Sequence, residues 1–278
     1  MRQSSLPGRY PVGGLEELRF ITYLSPGIPQ ALFEALVAHV RRTLGCRHTS
    51  LRVEARVSGP EKGGEDPFSE GEADAGFMCA PSFVRLRELS RAPVELLGVA
   101  PVFEDERNAG KPLYFCDVIA RRDGPVRGFS DLRGGALAYN DVCSLSGYHS
   151  ILIQLSRMGA NEGFLGRLAC SGGHLRSIDL VARGEVDAAA IDSNVLRIRL
   201  DERPDLREKV RVIESWGPYP IQPVVVRSAL DAGIKEGLRD SLLGTEADPL
   251  CRSVLSRFGL ERFAPVTDAD YPSDLLDG

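Results

Sequence analysis

The sequence predicts an α/β protein of two lobes, with mainly parallel sheets flanked by helices and a cleft between the lobes. Three observations predict it. Strand-like and helix-like runs alternate along the chain. The motif Gly-Glu-(Ala or Val)-Asp-Ala occurs once in each half, at Gly71–Ala75 and Gly184–Ala188. Late strand-like segments at 210–213 and 223–226 can carry the chain back to its first half. The expected division is one lobe from 1–120 plus 215–278 and the other from 121–214. A chain of 278 residues is long enough for either one large domain or two small ones.

The elements follow in order. Leu18–Leu24 is rich in β-branched and aromatic residues and reads as the first strand. After a Pro-Gly turn, Leu32, Leu36, Val37 and Val40 recur at helical spacing within Ala31–Leu44, and Gly45 ends that helix. Leu51–Val57 alternates as a second strand, and 59–71 is a polar, glycine-rich loop. A buried strand is expected within 71–79, a short helix at Ser82–Leu89, and strands at Val94–Val102 and Leu113–Ala120. In the second half, 129–135 reads as a helical turn, Ala136–Tyr139 as a strand and Ser146–Met158 as a helix. Helices at Ile234–Leu243 and Leu250–Phe258 close the chain.

Composition narrows the function. Apolar residues make up 43% and charged residues 26%, ordinary for a globular chain. The net charge of −5 offers no broad basic surface, so neither nucleic acid nor an anionic membrane is an expected partner. The longest apolar runs, such as Ala188–Ile191, fall far short of the ~20 residues a membrane span needs. Six cysteines (Cys46, Cys79, Cys116, Cys143, Cys170 and Cys251) show no CxxC pattern, and several sit in apolar runs. They are expected to be reduced and mostly buried.

The stretch that carries chemistry is Tyr139-Asn-Asp-Val-Cys-Ser144-Leu145-Ser146-Gly147-Tyr148. A strand ends, a small polar loop follows, and an amphipathic helix begins. Ser144 is a suitable N-cap, and Gly147 lets a partner approach the backbone. The first amides of a helix lack internal acceptors and lie at the positive end of its dipole, which makes an oxyanion site. A second small-residue turn, Ser171-Gly-Gly-His174, feeds another helix with His174 and Ser177 in its first turn. There His174 can donate to an anion, most strongly as an imidazolium at low pH. A Ser-capped helix and a solvated histidine explain the same residues with no ligand at all.

Four motifs in order resemble a known family. They are Asp131-Leu-Arg-Gly134, Ser144-Leu-Ser146-Gly-Tyr148, Gly173-His174 with Ser177, and Gly184-Glu-Val-Asp187-Ala-Ala-Ala-Ile-Asp192. Together, over about residues 110–227, the chain resembles the phosphate/phosphite/phosphonate-binding proteins of ABC transporters. The resemblance implies a type II periplasmic-binding-protein-like fold, a small anionic ligand, hinge closure, and an ABC permease as partner, with no cofactor. It implies that Ser144 and Ser146 belong to the family's Ser-Thr-Ser-Gly loop and that His174 supplies its imidazole. With Leu145, Gly147, Tyr148, Ser177, Asp192, Met78 and Cys79, these complete the expected ligand-contacting set. Departures are informative. Leu145 stands where the family has Thr, Phe77-Met78 replaces an aromatic pair, and Gln222 stands where aminophosphonate binders carry an acid. These changes point away from aminophosphonates, towards a phosphate ester or a carboxylate with an apolar body.

Two alternatives use the same residues. Cytoplasmic enzymes of the chorismate-dehydratase and thiamine-pyrimidine-synthase kinds share the two lobes, and Asp192, Asn194 or His174 could then serve as acid or base. No paired carboxylates or nucleophile–base pair specifies a reaction. A metal could use Cys143, Cys170, His174 and Asp141, although their spacing matches no usual zinc or iron motif. The first ten residues lack the apolar core of a secretory leader, which points to the cytoplasm, or to the periplasm if a leader has been removed.

Overall fold

A computed structural model describes residues 15–64 and 66–276. The N-terminal segment read above for a leader lies outside the described residues. The strands of the first half are β1 (Glu17–Thr22), β2 (His48–Val53), β3 (Ala75–Phe77), β4 (Val94–Leu96), β5 (Val99–Phe103) and β6 (Leu113–Arg121). Those of the second half are β7 (Ala136–Tyr139), β8 (Arg167–Cys170), β9 (Ala188–Asp192), β10 (Val210–Pro220), β11 (Val224–Arg227) and β12 (Leu260–Pro265). The helices are α1 (Gln30–Leu44), α2 (Ala80–Arg87), α3 (Ser150–Arg157), α4 (His174–Arg183), α5 (Ser193–Glu202), α6 (Ala232–Leu243) and α7 (Pro249–Arg257).

Two five-stranded sheets organise the molecule, in the orders β2-β1-β3-β11-β4 and β10-β6-β9-β7-β8, with β5 and β12 forming a separate ribbon. β1 runs parallel to β2 and β3, and β7 runs parallel to β8 and β9. β11, β6 and β10 pair antiparallel with their neighbours, so each sheet is mixed. The second sheet draws on residues 113–220, because β6 and β10 pair with each other from Leu113↔Pro220 to Arg121↔Val210.

Burial explains the elements. α1 turns Leu32, Phe33, Leu36, Val37 and Val40 inward, and its Phe33 ring lies 5.0 Å from that of Phe77 on β3. Each such side chain contributes about 1.5–3 kcal/mol when fully buried. β9 reads Ala-Ala-Ala-Ile-Asp and is buried along its whole length, as a strand covered on both faces must be. A second core of Ile119, Ile178, Val181, Ile191, Leu196, Leu206 and Val210 packs on the other side of the second sheet.

The duplicated motif has the same role twice. Asp74 donates its N–H to the Arg19 carbonyl and takes the Arg19 N–H on its carboxylate, at 2.8 and 3.0 Å. Asp187 makes the same pair of bonds with Ala136, at 2.9 and 2.7 Å. Each carboxylate thus pins the start of one parallel strand to its neighbour.

Several expectations shift. The strand expected at 94–102 is two strands in different sheets, because Gly98 breaks the run at φ 79°. The helix expected at 146–158 opens with a wider π turn at Leu145–His149 before the α-helix proper. There the Ser146 carbonyl is taken by the Ser150 hydroxyl at 2.7 Å and the Cys116 thiol at 3.0 Å, which holds the turn open. β8, α5 and β12 were not expected. β10 runs well past the segment expected at 210–213.

Candidate functional site

The site lies beyond the carboxyl ends of β3, β7 and β9, where parallel α/β sheets place ligands. β3 leads to Met78 and Cys79, β7 to the 140–149 segment, and β9 ends at Asp192. Ser144 caps the helix head, and its Oγ accepts the Gly147 amide at 3.0 Å. Its carbonyl accepts the Tyr148 and His149 amides, both at 3.1 Å. The Gly147 and Tyr148 amides, expected to face a ligand, are therefore satisfied inside the turn. The Leu145 amide donates to Cys79 Sγ at 3.2 Å, a contact from one sheet's loops to the other's. Among the described residues the Ser146 amide has no acceptor.

His174 starts α4 with Nε2 3.4 Å from Ser146 Oγ. Its Nδ1, on the ring edge away from Ser146, is enclosed next to the Ala190 backbone with no partner at ordinary hydrogen-bond distance. Burial lowers its pKa to about 4, so the ring is neutral at pH 6–8. The imidazolium expected from sequence does not form there, because the ring has been withdrawn from water. Ser177 is buried and its Oγ lies 2.6 Å from that of Ser171, so it braces the turn ahead of His174. The Tyr148 ring packs tilted against that of Tyr139, centroids 4.9 Å apart, and its hydroxyl donates to Glu162. Met78 and the Leu145 side chain are fully enclosed in the core.

Asp192 caps α5. Its Oδ1 accepts the Asn194 and Val195 amides at 2.8 and 3.3 Å, and its Oδ2 accepts Gln222 Nε2 at 2.6 Å. Burial pushes its pKa up to about 6, against the opposing effect of the Gln222 bond. Beside the helix head, Asp141 accepts Ser58 Oγ at 2.6 Å, Asn140 Nδ2 at 2.8 Å, the Cys143 amide at 2.9 Å and the Ser58 amide at 3.2 Å.

At the helix head Asn140 Oδ1 has no partner among the described residues, while Tyr114 Oη faces the Ser146 side chain and His174 Nδ1 the Ala190 backbone, both beyond ordinary hydrogen-bond distance. Tyr114, Asn140 and Asn194 are only 1%, 4% and 3% exposed. Tyr114 lies close to Ser146, Cys79 and Asp192, and Asn140 Oδ1 abuts Gly147. Sequence reading missed Tyr114 and Asn140. Tyr114 sits in an apolar run that looks like plain core strand. The signal available for it was alternation, since Tyr114 and Cys116 share the face of β6 turned towards the helix head.

The cysteines expected to be reduced are free thiols; Cys46, Cys79, Cys116 and Cys251 are buried, and Cys170 is exposed. Among the described residues no three His, Cys, Asp or Glu side chains assemble as a metal site, so Cys143, Cys170, His174 and Asp141 do not form one.

A family model described as ABC transporter, phosphonate, periplasmic substrate-binding protein matches residues 18–271. The chain belongs to that family. Its fold is that of the family's solved members. A binding-protein component of an ABC phosphonate transporter from Pseudomonas aeruginosa superposes with TM-score 0.76 at 17% identity, over 92% of this chain and 83% of that one. PhnD1 from Prochlorococcus marinus, in complex with methylphosphonate, gives 0.73 at 15% identity, over 92% and 94%. XAC2383 from Xanthomonas citri, bound to ATP, gives 0.65 at 21% identity, over 95% and 97%. Members of this family are substrate-binding components, so the coarse function is ligand binding for an ABC transporter, and neither the match nor these neighbours supports the enzyme alternative. The family is described as periplasmic. Among the described residues no helix is long and apolar enough to cross a membrane.

Proposed function

We propose that the protein captures a small oxyanion that carries no ammonium group (a phosphonate, phosphate ester or carboxylate) and presents it to an ABC permease. The observations that carry this reading are the Ser146 amide, left without an acceptor at the helix head, and the unpartnered Asn140 Oδ1 beside it. An unsatisfied buried polar group costs about 1–3 kcal/mol, and folded proteins rarely leave several together. A ligand that completes them removes that cost. Its negative end belongs at the Ser146 amide, with the helix dipole and the Tyr114 and Ser146 hydroxyls as neutral donors. Asn140 Oδ1 is an acceptor and suits a ligand hydroxyl or a protonated oxygen. Cys79, which reaches the Leu145 amide, forms the wall opposite.

The exclusion of an amine rests on Gln222. Its Nε2 holds Asp192 Oδ2 at 2.6 Å, in the place an ammonium would take, and Oδ1 is committed to α5. The same commitments leave Asp192 poorly placed as a catalytic acid or base. On this reading, among the described residues, one lobe comprises 15–64, 66–112 and 221–276 and the other 113–220. The division lies outside the 120/121 and 214/215 boundaries read from sequence because β6 and β10 pair throughout within the second sheet.

The test is calorimetric titration of the protein with methylphosphonate, 2-aminoethylphosphonate, inorganic phosphate and glycerol 3-phosphate. At least one amine-free anion is expected to bind well below a Kd of ~1 mM, and 2-aminoethylphosphonate at least about tenfold more weakly than methylphosphonate. Failure of every anion to bind better than ~1 mM overturns the proposal.

A further inference from the structure

We propose that Ser58 and Asp141 are positioning residues: a polar clasp between the lobes that shapes the anion cradle as the cleft shuts. Ser58 follows β2 of the first sheet, and Asp141 follows β7 of the second. Ser58 is 9% exposed and Asp141 7%, so the pair is withdrawn from water. The Asp141 carboxylate receives two donors from its own loop, the Cys143 amide and Asn140 Nδ2, and two from the opposite lobe, the Ser58 amide and hydroxyl. All four are neutral. Among the described residues Asp141 forms no ion pair. Without Ser58 the charge keeps only the two donors of its own loop, and a buried carboxylate with half its donors removed is costly.

Both ends of the clasp are wired to the site. On the first lobe, the Ser58 carbonyl accepts the Cys79 amide at 2.7 Å, and the Ser82 hydroxyl and Arg85 guanidinium hold the neighbouring Pro60 carbonyl. Ser58 thus moves with Cys79 and the head of α2. On the second lobe, Asn140 Nδ2 bonds both Asp141 and Ser58, while Asn140 Oδ1 packs against Gly147 at the helix head. Closing the clasp fixes Asn140 against the cradle and brings Cys79 Sγ to the Leu145 amide. The Ser58–Asp141 bonds then add a polar tie to the apolar contacts that join the two lobes.

The functional consequence rests on the proposed anion site, so the experiment has two independent arms. In the first, hydrogen exchange is measured at the Leu145 amide, which bonds Cys79 and touches neither Ser58 nor Asp141. Ser58→Ala and Asp141→Asn are expected to speed exchange there by about tenfold or more, while Ser58→Thr, which keeps the hydroxyl, restores protection. Unchanged Leu145 protection in a folded Ser58→Ala protein, by circular dichroism, overturns the clasp whether or not any anion binds. In the second, methylphosphonate is titrated into the same variants. Ser58→Ala is expected to lose about tenfold in affinity, with Ser58→Thr near wild type. Equal losses for Ser58→Ala and Ser58→Thr overturn the positioning role. If wild type binds no anion, the proposed function fails and the exchange arm still decides the clasp.

Discussion

Gly147→Ala places a methyl carbon 1.6 Å from Asn140 Oδ1, 2.8 Å from Asn140 Cγ and 3.0 Å from Ser144 Oγ. Nothing covalent can occupy that space until Asn140 moves. Asn140 is not free to swing, because its Nδ2 is held by Asp141 and Ser58 and it is buried. Overpacking of this kind costs about 1–3 kcal/mol. If Asn140 gives up one hydrogen bond, about 1 kcal/mol is added. The expected loss is therefore about 2–4 kcal/mol, which for a protein of this size lowers the Tm by roughly 5–15 °C. Gly173→Ala is the matched control. It lies in the turn ahead of His174, has extended backbone at φ 168°, and a methyl there meets nothing within 4 Å. Its expected change is within about 0.5 kcal/mol. Thermal and urea unfolding of the two variants decide the matter. Equal stability for Gly147→Ala and Gly173→Ala would show that the close approach of Asn140 to the helix head is wrong, and with it the cradle geometry.

Asp192 and His174 impose opposite dependences on pH. Asp192 is raised from 3.8 to about 6, so the folded state holds its proton more tightly than the unfolded state. Its burial is harmless below about pH 4 and becomes destabilising as pH rises through 6. Asp192→Asn should therefore gain up to about 3 kcal/mol over wild type above pH 7 and nothing near pH 4, in urea unfolding at the two values. His174 is lowered from 6.5 to about 4, so its contribution is complete above pH 6.5 and is lost as pH falls through 4. Its ring proton should show no NMR titration between pH 6 and 8, and an inflection there contradicts the buried neutral ring. A thiol reagent on the native protein should label the exposed Cys170 first, and should reach Cys46, Cys79, Cys116 and Cys251 only after unfolding, as read by mass spectrometry.

The alternation of elements was legible because apolar spacing decides it locally: α1, β7 and the closing helices stand within one or two residues of their expected ends. Gly98 shows where this stops, since a run that looks continuous in hydropathy is cut by one left-handed residue. β8 and β12 were missed because their strand character comes from their partners; β8, Arg-Leu-Ala-Cys, has no fully buried residue. Ser144, Ser146 and His174 were legible as helix-start residues because a cap and a glycine-rich turn announce a helix start. Which amides remain open was not legible, because the π turn spends Gly147 and Tyr148 internally and depends on Cys116, distant in sequence. Tyr114, Asn140 and Ser58 gain their roles only from the sheets that bring them together. Gln222 was legible as a missing acid; that it holds Asp192 was not.

Crystallography of the protein grown with methylphosphonate tests the central claim most directly. The account predicts an oxyanion oxygen on the Ser146 amide, with the Tyr114 hydroxyl and Asn140 Oδ1 completed by the ligand or by water it orders. An anion bound elsewhere, with the Ser146 amide and Asn140 Oδ1 still unpartnered, would contradict it.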